Sequence, residues 1–297
     1  MVKTLVVVNP AAGSGRAAAR WARVREEARR HFAFDEVMTA GPKDASRIAS
    51  DAVRDGYERL LAVGGDGTLH EIVNGCPGSD VAVGVLPFGT GNDFARSTGM
   101  LRRVGDLLPA LAAGCTRRVD LGLVHGQHYL DVAGVGFDAE VARIANAAAH
   151  RQGGALFYLT TAVRQAFRFE PAPLSVGLDG GSPDPATPRL MVAVGNAPAY
   201  AGGMRVCPRA SVDDGFLDVL QVGDLHRWRI LGLLPLVFLG RHVGRPGVEY
   251  RQARTVRVEG PADAAVHADG EIVGGLPAEF SVCAGALRLW LSGPDRS

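Results

Sequence analysis

Short apolar runs bounded by turn residues alternate, in the first third of the chain, with segments whose apolar positions recur every three or four residues. Thr4–Val8 is an apolar run that reads as a strand, and Trp21, Val24, Ala28 and Phe32 then give one face of a helix. The other faces of that helix carry Arg16, Arg20, Arg23, Arg25, Arg29 and Arg30, a pattern that fits solvent or contact with anionic lipid. A strand over Glu36–Thr39, a turn at Gly41-Pro42 and a helix over Asp44–Arg54 follow. Arg59–Val63 reads as a buried strand, Leu69, Ile72 and Val73 begin a helical spacing, and Val81–Leu86 is a further buried strand running into a helix. Strands alternating with helices predict a parallel sheet covered on both faces.

Beyond Gly114 the period changes to that of short strands, at Arg117–Val124, His128–Ala133, Leu174–Leu178, Leu190–Gly195, Phe216–Val222, Val248–Val258, Val266–Asp269, Phe280–Cys283 and Leu287–Leu291. Helical segments at Phe137–Ala149 and Leu156–Phe169 interrupt them, and Gly180–Pro188 reads as a mobile hairpin tip. The predicted fold class is an N-terminal α/β nucleotide-binding domain with a parallel sheet, followed by a mainly antiparallel β-sandwich. The boundary is placed near Leu121, giving domains 1–121 and 122–297, with the last strand a candidate to return toward the first domain.

Composition narrows the possibilities without choosing among them. The 297 residues, 47% hydrophobic with a formal net charge of +1, are enough for two cores and give no support to a nucleic-acid role. No apolar stretch reaches the roughly 18 residues of a membrane span, and the first residues form a strand rather than a signal segment, so the expectation is a cytoplasmic protein. Cys76, Cys115, Cys207 and Cys283 are scattered, as reduced thiols are, and show no metal spacing.

The candidate chemistry lies in three loops that each leave a strand and enter a helix: Asn9 to Gly15, Gly64 to Thr68, and Pro87 to Asp93. Glycines let such loops turn sharply and bring several amide N–H groups toward one anion at the positive end of a helix. In Val63 to Gly75 (VGGDGTLHEIVNG), Asp66 would repel a phosphate unless a metal or hydroxyl intervenes, and Thr68 is placed to cap the helix or donate to a phosphoryl oxygen. Gly13 to Ala18 also fits GxGxxA, with Asp35 near the position of a ribose-binding acid, so a dinucleotide-binding oxidoreductase competes; a Walker loop is excluded because no Gly-Lys-Ser/Thr is present. Since ligands of open α/β sheets bind beyond the carboxyl ends of the strands, all three loops are candidates to line one crevice.

Taken together, NPAAGSG, VGGDGTLHEIVNG and PFGTGNDFA resemble, in order and spacing, the diacylglycerol kinase catalytic domain shared by bacterial lipid kinases and sphingosine and ceramide kinases. The resemblance implies ATP binding by Asn9, Pro10, Ala11, Ala12, Gly13, Thr39, Gly64, Gly65, Asp66, Gly67, Thr68, Leu69, His70 and Thr90. It implies a structural Mg²⁺ at the Asp213-Asp214-Gly215 turn, held by the Asp214 carboxylate and the carbonyls of Ser211 and Phe216; Ala201-Gly202-Gly203 stands where relatives often carry three glycines. His267-Ala268-Asp269-Gly270-Glu271 resembles the family's DGE element, which lies at a cleft between domains. The expected base is Asp269, with Asp66 ordering Mg·ATP, the opposite assignment open, and Glu271 a candidate metal ligand.

The implied activity is ATP-dependent phosphorylation of a lipid hydroxyl, with diacylglycerol the first choice. Ile230–Leu239, flanked by Arg227, Trp228, Arg229, Arg241 and Arg245, reads as a buried helix, with docking at the inner face of the membrane as the alternative. A homodimer, an NAD-kinase-like enzyme and a non-catalytic lipid- or nucleotide-binding protein stay open.

Overall fold

The computed structural model describes residues 2–148 and 155–290. They form two compact units, one from the described residues of Met1–Val119 and Gly285–Ser297, the other Asp120–Ala284.

In the first unit β1 (Thr4–Val8), β2 (Asp35–Met38), β3 (Arg59–Gly64) and β4 (Ala82–Pro87) are all parallel, in the order β2-β1-β3-β4. The end of β15 (Ala278–Trp290) adds a fifth parallel strand beside β4, with Leu289 opposite Val83. β1, β3 and β4 are apolar on both sides because both faces are covered: α2 (Ala17–His31) and α6 (Val104–Ala112) pack together, as do α3 (Asp44–Arg54) and α4 (Asp66–Gly75). The chain steps from β1 to β2 and then back across β1 to β3, so right-handed crossovers place α2 and α3 on opposite faces. That reversal opens the sheet between the carboxyl ends of β1 and β3. Two shorter helical segments, α1 (Ala12–Gly15) and α5 (Asp93–Ser97), follow β1 and β4; α1 is a tight turn, since Gly13 and Ser14 both have φ of 58°.

α6 is not anticipated by the spacing, because Pro109 and a nearly unbroken apolar run hide its period. It buries Leu107, Leu108 and Leu111, and the Leu111 carbonyl accepts the indole N–H of the fully buried Trp290 at 2.8 Å.

The second unit is a two-sheet sandwich. One sheet runs β14 (Glu271–Gly275), β13 (Ala265–Ala268), β7 (Val132–Gly136), β9 (Thr187–Gly195), β10 (Leu217–Gly223) and β11 (Val248–Ala253), antiparallel throughout. The other runs β8 (Ala172–Leu178), β12 (Thr255–Glu259), β15, β5 (Thr116–Val124) and β6 (Gln127–Tyr129). Along β10 the side chains alternate: Leu217 and Val219 enter the core between the sheets with Val194, Val258 and Phe280, while Leu220 and Val222 enter a second core. That second core is roofed by α7 (Phe137–Ala148), α8 (Ala155–Gln165) and α9 (Arg227–Phe238) through residues such as Phe137, Ala162 and Ile230.

Several expectations change here. Val248–Val258 is two strands in different sheets, broken at Arg254, where the Arg254 and Thr255 N–H groups donate to Asp179 Oδ1 at 2.7 and 3.0 Å. The flanking apolar positions, Val248 and Tyr250 on one side and Val256 and Val258 on the other, stay in phase across the break, so their spacing does not reveal a change of sheet. Phe280–Cys283 and Leu287–Leu291 are parts of one strand, β15; Leu291 and Ala149, expected ends of a strand and a helix, lie outside the described residues. The segment expected as a mobile tip folds back onto β8, with Asp184 Oδ1 accepting the Val176 N–H at 2.7 Å and the Asp184 N–H donating to the Val176 carbonyl at 3.0 Å. No helix among the described residues is long and apolar enough to cross a membrane. All four cysteines are free thiols, and burial pushes Cys76 up to about 11 and Cys207 well above the ordinary thiol range.

Candidate active site

The three loops of the first unit converge through hydrogen bonds among themselves. The Asn9 N–H donates to the Val63 carbonyl at 3.0 Å, and its side-chain amide donates to Thr68 Oγ1 at 2.9 Å, tying the loop after β1 to the first turn of α4. Asn9 Oδ1 accepts the Ala11 N–H at 3.0 Å, and the Thr39 N–H donates to the Val8 carbonyl at 2.9 Å. The loop after β4 joins them because the Gly64 carbonyl accepts the N–H groups of Phe88 and Gly89 at 2.7 and 2.9 Å.

Glycine is required where these loops touch. A Cβ on Gly13 would lie 2.3 Å from the Phe88 carbonyl oxygen, and one on Gly65 would lie 2.9 Å from Gly89 Cα. The Gly65 position is therefore spoken for by the neighbouring backbone, whereas a Cβ on Gly67 meets nothing within 4 Å. α4 starts at Asp66, two residues before Thr68, so Thr68 does not cap it; Gly65 is the N-cap, and Thr68 is buried against Asn9. The amides of this first turn have no acceptor within the helix and carry its positive end, which suits an anion. Asp66 sits in that turn, half-buried, and its Oδ1 accepts the Phe94 N–H of α5 at 3.3 Å.

Of the other expected nucleotide residues, Thr39 and His70 are buried, Leu69 is a core side chain that brings only its backbone to the turn, and Pro10, Ala11, Ala12 and exposed Thr90 lie on the loops. Gly13, Gly89 and Thr90 also face an open cleft of about 480 Å³ walled by Arg16, Arg20 and Arg23. The Arg20 guanidinium lies over the Phe88 ring, 4.1 Å from its centroid. Asn92 is a further residue that builds the site: with φ of 54°, its Oδ1 accepts the Gly89 N–H and its Nδ2 donates to the Gly89 carbonyl, both at 3.0 Å. The signal for it was present as an Asn closing a Gly-rich turn.

In the second unit Asp269 opens the turn after β13 with φ of 49°. Its Oδ2 accepts the Leu130 N–H at 2.8 Å, and its Oδ1 accepts those of Asp131 and Val132 at 2.8 and 3.3 Å. The carboxylate is thus fixed in place by three backbone donors. Glu271 is exposed at the start of β14.

The expected metal turn supplies oxygen donors. Asp214 is exposed; its Oδ1 accepts the Phe216 N–H at 3.0 Å, and Gln252 Nε2 approaches its Oδ2 at 3.4 Å. Asp120, buried and unanticipated, accepts the Gly215 N–H at 2.7 Å and donates its own N–H to the Val212 carbonyl at 2.6 Å, which holds the turn in shape. Among the described residues no three His, Cys, Asp or Glu side chains converge as metal ligands. One carboxylate with backbone carbonyls, the rest of the shell being water, fits the way Mg²⁺ is bound, so Asp214 with the carbonyls of Ser211 and Phe216 suits that ion.

Beneath α9 the second core holds an apolar pocket, a cavity of about 80 Å³ that opens to solvent, lined by residues including Phe137, Val141, Leu220, Ile230 and Leu234. Its wall includes His242, whose Nε2 lies 3.0 Å from the Val206 carbonyl; burial lowers its pKa, so it meets the pocket as a neutral ring. α9 answers the question posed by Ile230–Leu239: Ile230 is buried and Leu233, Leu234 and Val237 are half-buried over the pocket, while Trp228 is 67% exposed.

A parallel α/β unit with phosphate-type loops, joined in one chain to a β-sandwich holding an apolar pocket, is the build of a lipid kinase. The chain belongs to the diacylglycerol kinase family: residues 3–124 match the diacylglycerol kinase catalytic domain, and residues 131–291 match the YegS C-terminal NAD kinase beta sandwich-like domain. It is 31% identical over 295 residues to a diacylglycerol kinase of Mycobacterium tuberculosis, covering 97% of this chain and 94% of that one. A YegS-like lipid kinase of Pseudomonas aeruginosa is 34% identical over 256 residues, covering 84% and 81%. A solved structure described as a diacylglycerol kinase from Bacillus anthracis shares the fold, with a TM-score of 0.76 at 20% identity over 98% of this chain and 97% of that one.

Proposed function

We propose that this lipid kinase transfers the γ-phosphoryl group of ATP to the free hydroxyl of diacylglycerol, giving phosphatidic acid and ADP. The observation that carries the acceptor choice is the pocket of the second unit, whose largely apolar lining is of the kind an acyl tail needs. The names of the relatives from Mycobacterium tuberculosis and Bacillus subtilis, the second 28% identical over 242 residues, support the same acceptor.

The chemistry follows from the named groups. The loops at Asn9 to Gly13, Gly64 to His70 and Thr90, with Thr39, hold the nucleotide, and the first-turn amides of α4 face its phosphates. Bound Mg²⁺ would neutralise charge on the phosphoryl oxygens, and Asp66 is the carboxylate that would hold it. Asp269 accepts the proton of the lipid hydroxyl as that oxygen forms its bond to the γ-phosphorus and the bond to the bridging oxygen of ADP breaks. Its three backbone donors aim the carboxylate, so it pays no reorientation at the moment of transfer.

The lipid is met at a membrane surface. Phe167 and Trp228, 42% and 67% exposed, stack edge to face at 5.8 Å, and Arg164, Arg168, Arg227 and Arg229 surround them along α8 and α9 and the residues just after α8, an arrangement that favours anionic headgroups. The deciding experiment supplies labelled ATP with diacylglycerol, ceramide, sphingosine, phosphatidylglycerol and NAD in separate reactions. Label in phosphatidic acid is expected; label in NADP or in another lipid overturns the assignment.

A further inference from the structure

The second unit buries a polar pair that the transfer step does not use. His267 is fully buried and Asp138 is 5% exposed, with His267 Nε2 2.9 Å from Asp138 Oδ2. His267 Nδ1 lies 3.3 Å from the Gly270 N, and since that amide can only donate, the ring proton sits on Nε2 and faces Asp138. Asp138 Oδ1 accepts the Ala139 N–H at 2.9 Å, so both carboxylate oxygens are engaged. Room for the pair depends on Gly134, where a Cβ would come 2.6 Å from Asp138 Oδ2.

This pair touches two places at once. Asp138 lines the apolar pocket, as does Tyr200, whose ring stacks on His267 with centroids 5.7 Å apart and planes 17° from parallel. His267 also stands in β13, two residues before Asp269, whose carboxylate is anchored on the N–H groups of residues 130–132. A buried, fully hydrogen-bonded polar pair is weak evidence for stability, since an apolar pair of the same volume would often pack there as well.

We infer that Asp138 and His267 are positioning residues that couple the tail in the pocket to the turn carrying Asp269. A tail packed against Asp138 and Tyr200 holds the His267–Gly270 link closed, and binding energy from the unreactive end of the lipid goes into presenting its hydroxyl. The inference rests on the lipid-kinase reading above.

The full chain is assayed with dioctanoylglycerol and dioleoylglycerol in detergent micelles, as wild type, Asp138→Asn, His267→Leu and His267→Gln. The wild type turns over the long-chain lipid with the higher kcat. Asp138→Asn and His267→Leu lower kcat for that lipid about 10- to 100-fold, leave the KM for ATP unchanged, and bring the ratio of the two kcat values close to one. His267→Gln, whose terminal amide can still donate to Asp138, recovers most of the ratio. Hydrogen exchange of the peptide spanning residues 265–275 supplies a readout independent of turnover and of how the variants fold: dioleoylglycerol slows it in the wild type. An unchanged kcat ratio in folded variants, or exchange in the wild type that dioleoylglycerol does not slow, overturns the inference. If the wild type phosphorylates no lipid yet exchange still slows, the lipid-kinase reading fails while the coupling stands.

Discussion

The glycine loops of the first unit and the apolar pocket of the second are built by opposite means. The loops are backbone against backbone: the Gly64 carbonyl accepts the Gly89 N–H, Gly13 and Gly65 leave space only because they lack a Cβ, and two asparagines, Asn9 and Asn92, act as staples. The pocket is side chain against side chain, with its wall drawn from β9, β10, β11 and three helices far apart in the chain. A ligand with fixed geometry, such as a phosphate, is matched by rigid backbone donors whose positions do not depend on rotamers. A flexible acyl tail needs only apolar volume, which many residue combinations provide. Substitutions should therefore act sharply and locally in the first region and gradually in the second.

Asp269 tests the sharpest case, since it is a side chain held by backbone donors. Asp269→Asn should lower kcat by about two to four orders of magnitude, because an amide cannot take the proton. The same change turns an NH₂ toward backbone N–H donors, so the melting temperature should fall as well, and both quantities are measured on one preparation. Turnover near the wild-type rate would remove Asp269 from catalysis and move the base to Asp66.

The next contrast lies within one loop. Gly65→Val drives a side chain into Gly89 and should cost about 1–3 kcal/mol in stability together with nucleotide binding, as overpacking does. Gly67→Ala has open space and a helical position, so it should gain roughly 0.5–1 kcal/mol while weakening ATP by blocking close approach to the first-turn amides. Calorimetry with ATP and thermal melts separate the two; a Gly67→Ala protein that binds ATP as tightly as wild type would show that the phosphate does not reach this turn.

Leu234→Trp fills part of the pocket from half-buried α9 and should raise the KM for diacylglycerol about tenfold with no change in nucleotide affinity. An equal loss of both affinities would mean that the pocket does not act separately from the loops. The smallest effect is expected at the oxygen-donor turn: Asp214→Ala should abolish the rise in melting temperature that Mg²⁺ gives the wild type, a shift of about a few degrees. A variant that kept the full response would remove Asp214 from the ligand set.

Much of this architecture can be read from the chain alone, because the forces that set it are local. The parallel strands follow from apolar runs between helical periods, α3 runs over Asp44–Arg54 as its spacing predicts, and each phosphate loop is a strand, a glycine turn and a helix start contiguous in sequence. Tertiary structure decided what depends on residues meeting across long separations. Asp120 reaches Gly215, Asp138 pairs with His267 across 129 residues, and no periodicity or motif connects either pair. The change of sheet between β11 and β12 and the single strand β15 escape the pattern for a related reason: alternation records which side of a strand is buried, and both sheets of a sandwich bury the same kind of side chain. Where Gly65 points was likewise set by the neighbouring loop, since the space a missing Cβ leaves is filled by whatever the fold brings there, here the backbone of Gly89.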